Sequence, residues 1–189
     1  MSNIRKRIGA FAALLLVMAL LSSAMIPKTA QAWTTYPLKV DDVEIVNALD
    51  YMRNQQTADG SIGGFSPSAW VVMAIAATGQ SPQNWKVGAN PSIVDYLAAN
   101  AGDATSVNDY ARMILAIVAA KENTTNFGGI NFMAQLVASY DGTQIGDPAL
   151  VNDDFWGILA LIAAGENKTS AIIQNSALFI KNAQKPDGG

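Results

Sequence analysis

Residues 51–65 read YMRNQQTADGSIGGF, and residues 179–189 return to the same pattern as FIKNAQKPDGG. Tyr51 precedes Phe179 by 128 positions, and the same spacing relates Gln56 to Gln184, Asp59 to Asp187 and Gly60 to Gly188. One module, a stretch with an aromatic start, a glutamine and an Asp-Gly break, has been used more than once. The glycines that follow in the first copy, Gly60, Gly63 and Gly64, favour turns and close backbone approach.

Upstream of the break, Asp41 and Glu44 stand three apart like a capping box with Asp in the cap position. They predict a helix over Val43–Gln56, with Ile45, Leu49 and Met52 on one face and Asn47, Asp50, Arg53 and Asn54 mostly on the other. That is an outer, half-exposed helix. Downstream, Ser66-Pro67 predicts an N-cap and a first helical position. The body that follows, AWVVMAIAAT, is apolar nearly all round until Gly79, which predicts burial on every side.

That buried element recurs twice. Asn108-Asp109-Tyr110 precedes ARMILAIVAAKEN, and Asn152-Asp153-Asp154 precedes FWGILALIAAGEN. Aligning Gly79, Lys121 and Gly165 gives spacings of 42 and 44, brings Trp70, Arg112 and Trp156 into register, and superposes Ala74, Ala116 and Ala160. More polar helices are expected between them, over Ser92–Asn100, Asn131–Tyr140 and Thr169–Ala183. The order is outer, inner, outer, inner, outer, inner, outer. A period in the low forties with two helices per unit marks a repeat architecture in which each unit buries its face against its neighbours. The last outer helix, with Ile172, Ile173, Leu178, Phe179 and Ile180, is left without an inner partner. On this reading the natural chain continues past Gly189.

The first 32 residues read as a secretory signal. Arg5, Lys6 and Arg7 form a positive start, Ile8–Leu21 is an apolar run, and Ala30-Gln31-Ala32 fits the small-x-small cleavage pattern. The run is short for a membrane span of about 20 residues, so no stable span is expected after cleavage. Export to the extracellular space or cell surface follows as the expectation. Beyond Ala32 there remain eight basic and fifteen acidic residues, a net charge of about −7. Nucleic acid and anionic lipid are disfavoured by such a surface, since phosphate binding depends on clustered Lys and Arg. The chain has no Cys and no His. It therefore offers no disulfide, thiolate or imidazole, and no cofactor or metal is expected.

Phe179-Ile180-x-x-x-Gln184 followed by Asp187-Gly188-Gly189, with Tyr51-Met52-x-x-x-Gln56 followed by Asp59-Gly60, resembles the glutamine-tryptophan repeat of squalene and other terpenoid cyclases. That superfamily also contains the protein prenyltransferases. The resemblance implies an all-α fold, an α/α toroid of alternating outer and inner helices around a central cavity. Here it would comprise about three and a half helical hairpins in an incomplete barrel. In the superfamily the glutamine ties its loop to a neighbouring helix end. Both copies lack the motif's tryptophan: Phe65 stands where the first would have it, and the sequence stops before it in the second.

Class II cyclases protonate an alkene with the middle Asp of an Asp-x-Asp-Asp run. The matching stretch is Val151-Asn152-Asp153-Asp154, with Val in place of the first Asp. By this resemblance Asp153, beside Asp154, would be the acid; the alternative is that both serve a helix N-terminus and its dipole. Trp70, Tyr110, Phe155 and Trp156 lie near the starts of inner helices, where the resemblance implies a cavity lining. They are candidates to hold a prenyl chain, a cation or a sugar face, or else core residues. The prenyltransferase zinc set of Asp, Cys and His cannot be assembled. Two sequons, Asn123-Thr124-Thr125 and Asn167-Lys168-Thr169, follow inner helices in equivalent loops and are candidate glycan acceptors or chance occurrences.

Two functions remain open. One is an exported module that binds an apolar small molecule, a glycan or a protein on its concave side. The other is an enzyme, either cyclase-like or acting on polysaccharide. The missing first Asp and the absence of His favour the binding module.

Overall fold

The computed structural model describes residues 37–188, and among these there are seven α-helices and two short 3₁₀ turns. The proposed signal segment 1–32, and with it the expectation of export, lies outside the described residues. In chain order the helices are α1 (Val43–Asn54), α2 (Phe65–Ala77), α3 (Ile93–Ala99), α4 (Val107–Ala119), α5 (Phe132–Ala138), α6 (Val151–Ala163) and α7 (Ala171–Ala183). Among the described residues there is no β-strand, only two isolated bridges, Phe127 with Ile130 and Tyr140 with Ile145. The fold class is all-α. Among those residues no helix is long and apolar enough to cross a membrane.

The predicted alternation is present as packing. Helix α4 packs on both α2 and α6, making a row of three, while α3 lies on α2, α5 on α4 and α7 on α6. Each inner helix is thus paired with the outer helix that follows it. The expected pairing is corrected at the C-terminal side: α7 is partnered by α6 and buries Ile172, Ile173 and Ser176. Leu178 stands exposed on the same helix, and Phe179 and Ile180 are half-buried. At the other end, α1 buries Leu49 and half-buries Ile45 and Met52, the predicted face.

Complete burial of an inner helix is realised best in α4, where Ala111, Met113, Ile114, Ala116 and Ile117 are all buried. It has a neighbour on each side and α5 behind it. Helices α2 and α6 flank the row, so each leaves an apolar stripe open: Trp70, Ala74 and Ala77 on one, Phe155, Leu159 and Ala163 on the other.

The three inner helices end in the same way, which explains the alignment of Gly79, Lys121 and Gly165. All three residues have positive φ, at 77°, 60° and 96°. In each, the residue's own N–H returns to the carbonyl three positions back, at Ala76, Val118 and Ile162. After α4 and α6 the next N–H, of Glu122 and Glu166, reaches five back to Ile117 and Leu161, both at 2.9 Å. This is the left-handed helix stop that normally selects glycine. The two sequon loops that follow are also superposable turns. Thr125 and Thr169 each give their N–H and hydroxyl to the side-chain oxygen of Asn123 and Asn167, at 2.8–3.0 Å.

Helix α1 begins at Val43 as expected, whereas the inner helices start before the reading of the sequence, α2 by two residues and α4 and α6 by about one turn. Helix α2 begins at Phe65 behind Gly64, so Pro67 is its third residue and not its first. Helix α4 is capped by a reciprocal box between Ser106 and Asp109, and α3 by one between Ser92 and Asp95. At α1 the cap residue is Asp42, whose Oδ2 accepts from Lys39 N–H at 2.7 Å and makes no bond to its own helix.

Candidate functional site

The two tryptophans that share register across the repeats meet. Trp70 on α2 and Trp156 on α6 are each the sixth residue of their helix, and their rings lie edge to face with centroids 5.3 Å apart. Neither helix packs extensively on the other, because α4 runs between them. The contact is made by indoles reaching across α4. Phe155 adds a third ring, 5.0 Å from Trp156 and tilted at 40° to it. The cluster is not sealed into the core: Trp70 is 43% exposed, Phe155 40% and Leu159 50%. Large aromatics that touch each other and still face solvent form a patch able to take the apolar face of a ligand.

The register partner on α4 is Arg112. Its guanidinium pairs with Asp109 and donates to Ser66 Oγ at 2.9 Å, tying α4 to the first turn of α2. Its charge is committed to Asp109. Tyr110, the fourth aromatic candidate, goes elsewhere: it is half-buried and faces Phe132 of α5, with centroids 6.4 Å apart. The structure therefore brings together Trp70, Phe155 and Trp156 and sets Tyr110 in the packing between α4 and α5.

Asp153 and Asp154 are both buried, at 4% and 0% exposure. Neither makes a side-chain cap to its own helix. They collect groups from the preceding loop and from α4. Asp153 accepts from Asn108 Nδ2 at 2.7 Å and from Asp147 N–H at 3.1 Å, and Asp154 Oδ1 accepts from Ile145 N–H at 2.8 Å. Burial pushes the Asp154 carboxyl up; the Ile145 N–H and the Ser176 hydroxyl act against it, and the charges of Asp153 and Asp141 add to it. The Ser176 hydroxyl is fully buried beneath it without a hydrogen bond of normal geometry, as is Asp154 Oδ2. Two acids held by main-chain amides and an asparagine fasten a loop. Among the described residues no three acidic side chains come together in a way that would hold a metal ion.

Ser68 does for α2 what Asp154 does for α6. Its Oγ accepts from Ile62 N–H at 2.9 Å and donates to Ile62 O at 3.2 Å. The loops they hold are alike: Asp59-Gly60-Ser61-Ile62-Gly63 and Asp141-Gly142-Thr143-Gln144-Ile145-Gly146. In each, the aspartate Oδ1 accepts the N–H two residues on, from Ser61 at 3.0 Å and from Thr143 at 2.7 Å. This third Asp-Gly turn escapes a search at fixed spacing because Asp59 lies 20 residues before Gly79 and Asp141 lies 24 before Gly165, Gln144 being one of the four extra residues. That glutamine is buried, and its Nε2 donates to Gly146 O at 2.7 Å.

The glutamines of the repeated motif have equivalent geometry. Gln56 Nε2 donates to Gly60 O at 2.9 Å and Gln184 Nε2 to Gly188 O at 3.1 Å, each closing its own loop four residues on. Gln56 alone also donates to Trp85 O, at 2.9 Å. Comparison of the chain with family models, with curated proteins and with solved structures finds no match.

Proposed function

We propose that this chain is a non-catalytic binding module, exported to the cell surface or the medium, that takes an apolar small molecule, a glycan or a protein side chain on the Trp70–Phe155–Trp156 patch. The observation that carries the reading is the edge-to-face contact of Trp70 and Trp156 at 5.3 Å, with Trp156 half-buried and Trp70 and Phe155 exposed on either side of it. The row α2, α4, α6 is read as the inner wall of an incomplete α/α toroid resembling the terpenoid cyclases. Serial packing of the inner helices and the shared Gln56 and Gln184 geometry support it. Function carried over from such a likeness is analogy. The acids argue against the catalytic alternative: a general acid must reach the proton acceptor, and Asp153 is buried with both carboxylate oxygens already accepting hydrogen bonds.

Covering about 100 Å² of apolar surface contributes on the order of 2.5 kcal/mol, so the patch suits ligands of modest affinity. The test is a calorimetric titration with a soluble prenyl alcohol and a series of neutral oligosaccharides, on the protein and on its Trp70→Ala and Trp156→Ala variants. The expected result is saturable binding of one class, lost in both tryptophan variants and retained in Asp154→Asn. Turnover of a polyprene that disappears in Asp153→Asn would overturn the proposal in favour of the enzyme.

A further inference from the structure

The two copies of the opening motif differ in what lies against them. In the first, Arg53, Gln56 and Gly60 grip a single neighbouring segment. The Arg53 guanidinium sits 4.2 Å from the centre of the Trp85 ring, Gln56 Nε2 donates to Trp85 O at 2.9 Å, and the Gly60 backbone approaches Pro91 and Ser92. A Cβ on Gly60 would lie 2.6 Å from Ser92 O, so the approach requires glycine. Trp85 is 1% exposed, and Ile93 N–H also binds its carbonyl, at 3.1 Å. The segment gripped is an indole on a turn, followed seven residues later by the capped start of α3.

At the spacing of 128 the corresponding residues are Lys181, Gln184 and Gly188. Their local geometry is that of the first copy. Gly188 has φ 94° against 90° at Gly60, and its N–H binds the carbonyl of Lys185 as that of Gly60 binds Thr57. Each glutamine closes its loop in the same way. The surroundings differ, since Lys181, Gln184 and Gly188 are exposed and line an open groove of about 500 Å³ together with Val151, Ile180, Ala183 and a second lysine, Lys185. Lys181, an amide donor and an approachable glycine stand beside Val151 and Ile180, in the spacing that elsewhere in this chain holds a tryptophan.

We infer that the groove at Lys181, Gln184 and Gly188 is a docking site for a polypeptide turn that presents an indole and its own main-chain carbonyl just ahead of a helix start. The indole lies under the Lys181 ammonium as a cation–π pair. Its carbonyl accepts the free hydrogen of the Gln184 amide, and the following turn crosses Gly188. None of Lys181, Gln184 and Gly188 belongs to the Trp70–Phe155–Trp156 patch, and occupancy of this groove does not depend on that reading.

The probe is a synthetic peptide of residues 81–99, SPQNWKVGANPSIVDYLAA, acetylated and amidated, titrated into the isotope-labelled protein by NMR. The expected result is saturable movement of the Gln184 side-chain amide and the Gly188 N–H, with Trp70→Ala without effect. Replacing the peptide's tryptophan by alanine, or introducing Lys181→Glu or Gln184→Leu in the protein, weakens binding by about fivefold or more. Both protein positions are exposed, so the fold survives the changes. No saturable shift up to about 1 mM peptide, shifts centred elsewhere, or equal binding of the alanine peptide would each overturn the assignment.

Discussion

Ser68 and Asp154 occupy the same position, the fourth residue of α2 and of α6, and each accepts the main-chain N–H of a loop isoleucine, Ile62 at 2.9 Å and Ile145 at 2.8 Å. A neutral hydroxyl suffices for this task, so the negative charge of Asp154 is incidental to it. Asp154→Asn keeps an acceptor oxygen for Ile145 and removes a buried charge, which is costly to leave unpaired. The variant is expected to be as stable as the parent, or more so, at neutral pH. Asp154→Ala leaves the Ile145 N–H unsatisfied and should cost about 1–3 kcal/mol. Urea denaturation of both separates the cases: equal losses would show that the charged form itself is needed.

Asp59, Asp95 and Asp141 on one side and Asp154 on the other have opposite pH behaviour. Asp141 is lowered from 3.8 to about 2, chiefly by the Gln144 N–H and then by the hydroxyl and N–H of Thr143. Asp59 is lowered by the Thr57 hydroxyl and the Ser61 N–H, and Asp95 by the N–H and hydroxyl of Ser92. For these the folded pKa lies below the unfolded one. Their stabilisation is present above 3.8 and is lost as pH falls through the folded values. Asp154 is raised, so its ionisation opposes folding as pH climbs from 3.8 through its folded pKa. Urea midpoints at about pH 3, 5 and 7 should therefore fall for the parent at the acid end. The advantage of Asp154→Asn should grow with pH and then level off. An advantage greatest at the lowest pH would contradict the sign.

Much of this is legible in the amino-acid sequence. Apolar periodicity placed all seven helices, and the alignment of Gly79, Lys121 and Gly165 identified three equivalent helix ends by their common backbone need. It also put Trp70 and Trp156 in register, which is why they meet. Helix starts were less legible, because Asn108, Asp109, Asp153 and Asp154 look like caps by type. Ser106 is the true cap of α4, and the acids of α6 reach back to a loop. Tyr110 shared a position with Ser68 and Asp154, but only packing decides that its ring turns to Phe132. Ser176 gave no signal, since a buried hydroxyl in an outer helix is defined by what lies across from it.

Lys121 is the one described non-glycine residue with positive φ, at 60°, in a place where α2 and α6 have Gly79 and Gly165. A side chain in this conformation costs roughly 1–2 kcal/mol, against which glycine gives back roughly 0.5–1 kcal/mol of unfolded-chain entropy. Lys121→Gly should raise stability by about 0.5–1 kcal/mol, read as an upward shift of the urea midpoint at unchanged slope. Gly79→Ala and Gly165→Ala should move it the other way. No gain from Lys121→Gly would mean that the lysine stem returns the difference through packing.

The strongest internal comparison is between Gln56 and Gln184, which close the same loop with different surroundings. Gln56 is partly buried, and its amide satisfies two carbonyls, of Gly60 and of Trp85, the second 29 residues away. Gln56→Leu removes that donor from both carbonyls, leaving Trp85 O with the Ile93 N–H alone and α1 held to the turn before α3 by Arg53 over the Trp85 ring. The expected loss is about 1–3 kcal/mol. Gln184 is exposed and satisfies only Gly188 O, at 3.1 Å, which water can replace. Gln184→Leu should therefore change stability by no more than about 0.5 kcal/mol. Both variants are measured by urea denaturation with far-UV detection. Similar small losses at the two sites would mean that the Trp85 contact is held by Arg53 and by packing, and that the glutamine amide is dispensable even where it is buried.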